Sequence, residues 1–231
     1  PDSTKIAFVE YDPKVDYGTL YLMNADGTNL RTLSIQSVSP AFAKPLTSDV
    51  AIFEVTGTTH TKEQVSLWHT IAFSTDSTQI AFVNKYGYLS KINTDGTKLV
   101  QITTFTVNNP YWLKSNKIAF RRDEHSAVGL SYYLATINPD GTGYNVLYST
   151  TTEFKKYSVS PDETKFALGL DNHIIIVSTT GSILKEIPVS TEYPIDVSWV
   201  SNTKLVYINY KNIFTVNTDG TGLTNLTNNN L

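Results

Sequence analysis

An internal repeat is the feature that most constrains what this 231-residue chain can fold into. In each copy a short apolar run leads into Asp-Gly-Thr, and a second short run follows. The four copies cover residues 20–33, 89–103, 134–148 and 213–227. A fifth segment, 174–187, keeps the outline but has Thr-Gly where the others have Asp-Gly. Because Gly adopts positive φ easily and Asp tolerates tight turns, Asp-Gly between two apolar runs predicts a β-hairpin.

A second recurring unit precedes each hairpin. A turn of the Ser-Pro-Asp kind, in which Pro fixes φ and Asp or Ser bonds nearby amides, leads into a strand such as Ile-Ala-Phe. The copies cover residues 1–9, 74–83, 114–120, 160–168 and 200–208. A further short strand is predicted before the turn, within residues 38–43, 69–74, 109–114, 156–161 and 196–201. Each complete period therefore predicts four consecutive strands.

Four strands a period, with no helical periodicity, predict an all-β fold of the β-propeller class. We expect one domain over residues 1–231, built of six four-stranded blades. The expected blades cover residues 1–35, 36–68, 69–104, 105–151, 152–190 and 191–231. The second blade has no Asp-Gly turn and no visible fourth strand. A five-bladed propeller in which this segment is an irregular insertion is therefore the alternative.

The repeat resembles the WD-like repeat of TolB-type propellers. Ser160-Pro161-Asp162 matches the turn of that family, and other blades match its Ile-Ala-Phe and Asp-Gly elements. Trp112 and Trp199 stand where the family has Trp in the first strand. The resemblance implies a domain that mediates protein contacts in the bacterial envelope.

Composition excludes several functional classes. The chain has no cysteine, which removes disulfides, thiolate metal sites and thiol nucleophiles. Its net charge of −3 gives no basic surface for nucleic acid, and no apolar run is long enough for a membrane-spanning helix. Abundant Thr, Ser, Asn and Tyr favour an extracytoplasmic protein, whether periplasmic, cell-surface or secreted.

The motifs of common enzymes do not occur in this sequence. It has neither Gly-x-Ser-x-Gly nor a phosphate-binding glycine loop. Its histidines, His60, His69, His125 and His173, are scattered and form no metal-binding pair. We expect no catalytic residues, no metal and no cofactor. The alternatives are a carbohydrate-active or other enzyme with a site in the central channel, and a propeller module of a larger enzyme.

Variable connections carry the most informative functional signal. The turns on one predicted face are short and repetitive, whereas segments 11–18, 57–64, 103–112 and 121–131 are longer and differ from one another. Function tends to lie on such loops, and aromatic and Arg side chains supply much of the energy of recognition. The predicted binding residues are Tyr11, Tyr17, His60, Tyr111, Trp112, Arg121, Arg122, His125, Tyr193, Tyr210 and Lys211.

These features favour a non-enzymatic propeller scaffold that binds a protein or peptide partner at the long-loop face. On this hypothesis, Trp112 and Arg121 contact the partner and contribute little to stability. The first blade begins directly in its turn, so we also expect its inner strand to come from flanking sequence outside residues 1–231. The edge of Lys5–Glu10 would then be open to pairing.

Overall fold

The computed structural model describes residues 4–12, 17–38, 71–84, 86–127, 129–189, 195–209 and 212–227. Every regular element in these ranges is a β-strand, which confirms the all-β prediction. None of these residues forms a helix, and so none forms an apolar helix that could cross a membrane.

The strands form five antiparallel sheets, in each of which neighbours in sequence are neighbours in space. Sheet 1 contains β1 (Lys5–Asp12), β2 (Tyr17–Asn24) and β3 (Arg31–Val38). Sheet 2 contains β4 (Ile71–Phe73), β5 (Gln79–Val83), β6 (Tyr88–Asn93) and β7 (Val100–Thr106). Sheet 3 contains β8 (Asn108–Trp112), β9 (Ile118–Ser126), β10 (Gly129–Ile137) and β11 (Asn145–Thr150).

Sheet 4 contains β12 (Tyr157–Val159), β13 (Lys165–Gly169), β14 (His173–Ser178) and β15 (Ile183–Pro188). Sheet 5 contains β16 (Asp196–Ser201), β17 (Lys204–Asn209), β18 (Asn212–Asn217) and β19 (Thr224–Asn225). Sheets 2 to 5 thus have the four consecutive strands that the repeat predicts.

The chain divides into two compact units. The first comprises Pro1–Phe120 and Thr136–Tyr144, and the second comprises Arg121–Ala135 and Asn145–Leu231. In the first unit, side chains of sheets 1 and 2 share one apolar core that includes Leu22, Leu33 and Phe73. In the second unit, sheets 4 and 5 share a core that includes Ile176 and Leu205.

The middle strands explain this stacking of sheets. In β5 and β13 the last four residues are all buried, and in β14 the four central residues are buried. Successive residues of a strand point to opposite faces, so these strands are covered on both faces. A continuous apolar run is what such a strand requires.

The Asp-Gly-Thr turns repeat one set of hydrogen bonds. In the turn of sheet 3, Asn138 N donates to Thr142 O (2.9 Å) and Gly141 N donates to Asn138 O (2.9 Å). Asp140 Oδ1 accepts from both the amide (2.9 Å) and the hydroxyl (2.7 Å) of Thr142. Gly141 has a φ of 86°, which glycine adopts without strain.

The other copies show which part of the turn is essential. The aspartates of sheets 1, 2 and 5 accept the same two hydrogen bonds from their threonines: Asp26, Asp95 and Asp219. In sheet 4, Thr180 replaces the aspartate, yet Ser178 N still donates to Ser182 O (2.8 Å). The glycine of that turn keeps a positive φ of 95°. The backbone turn therefore depends on glycine, and aspartate adds side-chain bonds to it.

Only the first three residues of the predicted second blade, 36–68, are among those described. Residues 36–38 extend β3, and residues 39–70 lie outside the described residues. Sheets 1 and 2 pack directly on each other, and the Arg31 guanidinium donates a hydrogen bond to Thr94 O. The described residues thus contain five sheets, of which sheet 1 has three strands.

Stability should fall in acid, because the turn carboxylates accept stronger hydrogen bonds as anions than as neutral acids. Bonds from the Thr142 hydroxyl and amide hold the pKa of Asp140 below its ordinary 3.8, and the Asp26, Asp95 and Asp219 pKa values are lowered in the same way. The unfolded chain therefore takes up protons first. The stabilisation is complete above the ordinary pKa and is lost as the pH falls through the lowered values.

Urea unfolding at about pH 6, about pH 4 and about pH 3 measures this effect. In Thr142→Val the hydroxyl donor is gone and the backbone amide remains, so we expect the free energy of unfolding to depend less on pH than in the wild type. An unfolding free energy that stays constant down to about pH 3 contradicts the expectation.

Gly169 marks a close approach of β13 to the segment before β16. A Cβ atom at this position would overlap the carbonyl oxygen of Ile195. We expect Gly169→Ala to lower the free energy of unfolding by about 1–3 kcal/mol, since overpacking forces the backbone to shift. Urea unfolding measures the change, and a variant as stable as the wild type would show that the two segments separate easily.

Candidate functional site

Seven of the eleven predicted binding residues lie in described strands. Arg121, Arg122 and His125 lie on β9, and Tyr111 and Trp112 lie on β8, the neighbouring strand of sheet 3. Tyr11 and Tyr17 lie at the ends of β1 and β2, where Tyr11 pairs with Gly18 and Asp12 with Tyr17. Four lie outside the described residues: His60, Tyr193, Tyr210 and Lys211.

Two segments predicted as long loops are mostly strand. In segment 121–131, β9 continues to Ser126 and β10 begins at Gly129, and in segment 103–112 only Val107 separates β7 from β8. Segment 121–131 is polar, as a loop would be, but its charged side chains alternate between the two faces of a strand. In residues 121–124, Arg and acidic residues pair with each other at spacing two, which is the spacing of one strand face.

The β9–β10 hairpin is longer than the equivalent hairpins of sheets 2, 4 and 5. Both strands have nine residues, whereas β5, β6, β13, β14, β17 and β18 have five or six. Burial falls along β9, from fully buried Ile118 to exposed His125 and Ser126. We call residues 121–133 the hairpin tip.

Arg121 anchors one face of the hairpin tip. Its guanidinium makes a bidentate pair with Asp123 (Nε–Oδ1 2.6 Å, Nη2–Oδ2 2.8 Å). It also lies over the Tyr132 ring, 4.9 Å from the ring centroid. Its side chain is only 3% exposed. Arg121 is therefore part of the interior, and the expectation that it contributes little to stability is tested by the variants described below.

The segment before β12 covers this face. Glu153 Oε1 accepts from Arg121 Nη2 (3.2 Å), and Lys155 O accepts from Nη1 (2.9 Å). The ring of Phe154 lies 5.5 Å from the guanidinium carbon and is fully buried. Burial, reinforced by the Glu153 charge, raises the pKa of Tyr132. Glu153, Phe154 and Lys155 thus supply an ion pair, a ring contact and a carbonyl acceptor to the buried guanidinium.

The opposite face of the hairpin tip has the same three kinds of side chain, each one residue further along the sequence. Arg122 Nη2 pairs with Glu124 Oε1 (2.9 Å), and its guanidinium carbon lies 5.7 Å from the Tyr133 ring centroid. Arg122 is 21% exposed and Glu124 is 43% exposed. The hairpin tip therefore has two Arg–carboxylate–Tyr groups, one buried and one accessible to solvent.

Trp112 is a second predicted binding residue that lies inside the fold. It is 3% exposed, and its Nε1 donates to Asn116 Oδ1 (3.0 Å) in the turn that follows. Trp199, its counterpart in sheet 5, donates from Nε1 to Ser158 O (3.0 Å). Both indoles have structural hydrogen bonds, and Trp112 offers little surface to a partner.

Sequence reasoning missed Tyr132, Tyr133, Glu153 and Phe154. The two tyrosines are adjacent on β10 and lie on opposite faces, which mirrors the Arg121-Arg122 pair on β9. That symmetry was visible in the sequence once the segment was recognised as a hairpin. The role of Glu153-Phe154 had no local signal, because Arg121 lies 32 positions before Glu153.

Asp162, in the turn before β13, has a structural role. Asp162 accepts from the Ser160 hydroxyl (2.6 Å) and the Thr164 hydroxyl (2.8 Å), and its pKa is lowered chiefly by the Ser160 bond. Within the described ranges no group of three or more His, Asp and Glu side chains is arranged to hold a metal ion.

Comparison with known proteins gives a likeness in structure but not in sequence. No protein-family model and no curated protein sequence matches the chain. The crystal structure of a nidogen/laminin complex matches with a TM-score of 0.58 and 12% identity, over 94% of this chain and 78% of that chain. TolB from Acinetobacter baumannii matches with a TM-score of 0.60 and 14% identity, over 97% of this chain.

Both matched structures have β-propeller folds, so the chain has a propeller-like fold. It covers 53% of the TolB chain, or about half of its length. At this identity the likeness concerns the fold alone, and the site must be argued from its own residues.

Arg121 and Arg122 form a matched pair for measuring how much the buried group contributes to the free energy of unfolding. Arg121→Ala removes a buried guanidinium and its hydrogen bonds to Asp123, Glu153 and Lys155 O, while the two carboxylates stay partly exposed, so we expect a loss of about 1–3 kcal/mol in the free energy of unfolding. Arg122→Ala removes a partly exposed pair and should cost about 0–1 kcal/mol. Urea unfolding of both variants tests this. Equal losses in the free energy of unfolding would show that covering by residues 153–155 adds no stabilisation.

Proposed function

We propose that this chain is a propeller-like scaffold that binds a protein or peptide partner through the accessible face of the hairpin tip. The observation that supports this proposal is the duplicated Arg–carboxylate–Tyr group. The Arg121 copy is covered by Glu153-Phe154-Lys155, whereas Arg122, Glu124 and Tyr133 form a similar group that solvent reaches.

The covered copy indicates what a partner would contribute. An acidic side chain pairs with the guanidinium, and an aromatic ring lies against the cation. Arg and aromatic side chains are also the residues on which binding energy concentrates at interfaces. We therefore propose an extended partner segment with an acidic residue next to an aromatic one.

The two matched structures are compatible with a scaffold role for this chain, but they do not assign that role. One of them is a complex between nidogen and laminin. For this chain, a non-enzymatic role and an extracytoplasmic location are parts of the proposal. Tyr111, exposed His125 and the predicted residues outside the described ranges remain candidates for the rest of the interface.

A peptide copied from residues 151–156, Thr-Thr-Glu-Phe-Lys-Lys, tests this proposal directly. We expect it to bind the full chain, as measured by fluorescence anisotropy or titration calorimetry. Arg122→Ala should weaken binding about tenfold or more, which corresponds to about 1.4 kcal/mol. Lys185→Ala, an exposed cation on β15, is the matched control and should leave the affinity unchanged.

Two changes in the peptide complete the test. Replacing its Glu by Gln should weaken binding through the lost ion pair, and replacing its Phe by Ala should weaken it through the lost ring contact. The proposal for this face fails if Arg122→Ala and Lys185→Ala have equal effects. It also fails if the two altered peptides bind as well as the original.

A further inference from the structure

The Asp-Gly turns of sheets 2, 3 and 5 and the Thr-Gly turn of sheet 4 each lie against the preceding sheet. A Cβ atom on Gly96, in the turn of sheet 2, would lie 3.8 Å from the Leu33 side chain of β3. One on Gly141, in the turn of sheet 3, would lie 3.3 Å from Ile102 O of β7. The turns of sheets 4 and 5 have the same kind of neighbour: Gly181 with Leu147 O of β11 (3.2 Å), and Gly220 with Lys185 of β15 (3.7 Å). We call this approach of a turn to the last described strand of the preceding sheet the turn contact.

The turn contact falls at the same level of the repeat in successive sheets. Leu33, Ile102 and Leu147 each come seven residues after the aspartate of the turn in their own sheet. Each of the four contacts lies within one of the two compact units. The turn contact is therefore part of the repeat and is not particular to one boundary between sheets.

Two cations lie next to turn aspartates at these contacts. The Arg31 guanidinium of β3 donates a hydrogen bond to Thr94 O, directly before Asp95. The Cε atom of Lys185 is what approaches Gly220, directly after Asp219. Arg31 and Lys185 have equivalent positions, since each comes five residues after the aspartate position of the turn in its own sheet.

Lys91 supplies the third cation from a neighbouring strand. It lies on β6 and pairs with Val100 of β7. Val100 comes five residues after the aspartate of its own turn, which is the position of Arg31 and Lys185 in their sheets. Lys91 therefore lies at the level of sheet 2 at which sheets 1 and 4 have a cation.

The three cations act on the aspartates of the following turns. Hydrogen bonds from the threonine hydroxyl and amide lower the pKa of each aspartate most. A cation of the preceding sheet lowers the pKa further in each case: Arg31 for Asp95, Lys91 for Asp140 and Lys185 for Asp219. Because opposite charges attract, each pair also favours the contact between its two sheets.

The boundary between sheets 3 and 4 has neither member of such a pair. The turn of sheet 4 has Thr180 at the aspartate position, and sheet 3 has Asn145 at the position that a cation has in sheets 1 and 4. The turn contact itself is still made. The buried Arg121–Glu153 ion pair joins sheet 3 to the segment before sheet 4 instead. Acid and cation are thus absent together, as expected for two positions that act as a pair.

We propose that each turn aspartate and the cation that faces it form a charge pair that couples one sheet to the next and that salt can weaken. The pairs join sheets 1 and 2, sheets 2 and 3, and sheets 4 and 5. The boundary of sheets 3 and 4 has the turn contact without the charges, and it can receive a pair. Exposed charges are screened by salt much more than buried ones, so raising the ionic strength loosens the three charged boundaries selectively. The paired residues lie outside the hairpin tip, so this inference does not depend on binding at Arg122.

Carboxylate NMR titration of the full chain tests the pairing directly. Lys91→Met should raise the pKa of Asp140 and leave that of Asp219 unchanged, whereas Lys185→Met should do the reverse. Each variant is the control for the other, because both remove one lysine charge and keep a long aliphatic side chain. The proposal is overturned if both aspartates shift equally in the two variants, or if neither shifts in its own variant.

A double-mutant cycle measures the coupling of sheets 4 and 5 by urea unfolding. At low salt, Asp219→Asn should change the equilibrium constant of unfolding about twofold to fivefold more in the wild type than in Lys185→Met, as is usual for exposed ion pairs. Loss of turn hydrogen bonds occurs in both backgrounds and cancels. At about 1 M salt, where the Debye length is about 3 Å, the two effects should become equal. Effects that are already equal at low salt would overturn the coupling.

The boundary of sheets 3 and 4 allows the converse test. Thr180→Asp by itself recreates an Asp-Gly turn and changes stability locally, so the variant that reports the pairing is Asn145→Lys. Combined with Thr180→Asp at low salt, Asn145→Lys should favour the folded chain by about twofold to fivefold in the equilibrium constant of unfolding. In the wild-type background it should have no such effect. An equal effect of Asn145→Lys in the two backgrounds would contradict the proposed pairing of these positions.

Discussion

Apolar strands that are buried on both faces determine how this protein is built. β5, β13 and β14 are covered above and below, and a single sheet can cover neither of its own faces. Each sheet therefore needs another against it, and the shared cores of sheets 1 and 2 and of sheets 4 and 5 meet that need. Radial repetition of small sheets is a solution that a short repeat can encode, because each copy needs only its neighbours.

In this arrangement the turns close the hairpins, and apolar packing holds the sheets together. Glycine supplies the positive φ that closes each hairpin, and the turn of sheet 4 keeps its backbone bonds without aspartate. Asp and Thr add charge-assisted bonds on the exposed side of the turn. Repeated turn chemistry is therefore structural, and the residues that differ among repeats are where recognition is to be sought.

The hairpin tip is such a departure from the repeat. Its strands are longer than their counterparts, and each of its faces has an Arg, a carboxylate and a tyrosine. Glu153 and Phe154 cover one face at the base of the tip through an ion pair and a ring contact with Arg121. The other face is held in a similar arrangement and is partly exposed, which would reduce the ordering cost of binding the proposed partner.

Local sequence signals were sufficient for the strands and for the turns. Asp-Gly-Thr predicted the hairpins, and Lys-Ile-Ala-Phe and its relatives predicted the apolar second strands, because both depend on backbone preference and on apolar runs within a few residues. Segment 121–131 was less clear, since the charged residues that pair along each face of β9 give the segment the composition of a loop. It was predicted as a connection and is strand.

Only the tertiary structure decided which of the predicted binding residues are accessible. Arg121 and Arg122 are adjacent and chemically identical, yet one is 3% exposed and the other 21% exposed. The difference comes from Glu153-Phe154-Lys155, which is distant in sequence and covers one face alone. Sequence determined the repeat, the strand order and the turns, because these follow from local backbone preferences and from alternation. Burial of particular side chains depends on contacts between distant segments, and those exist only in the folded chain.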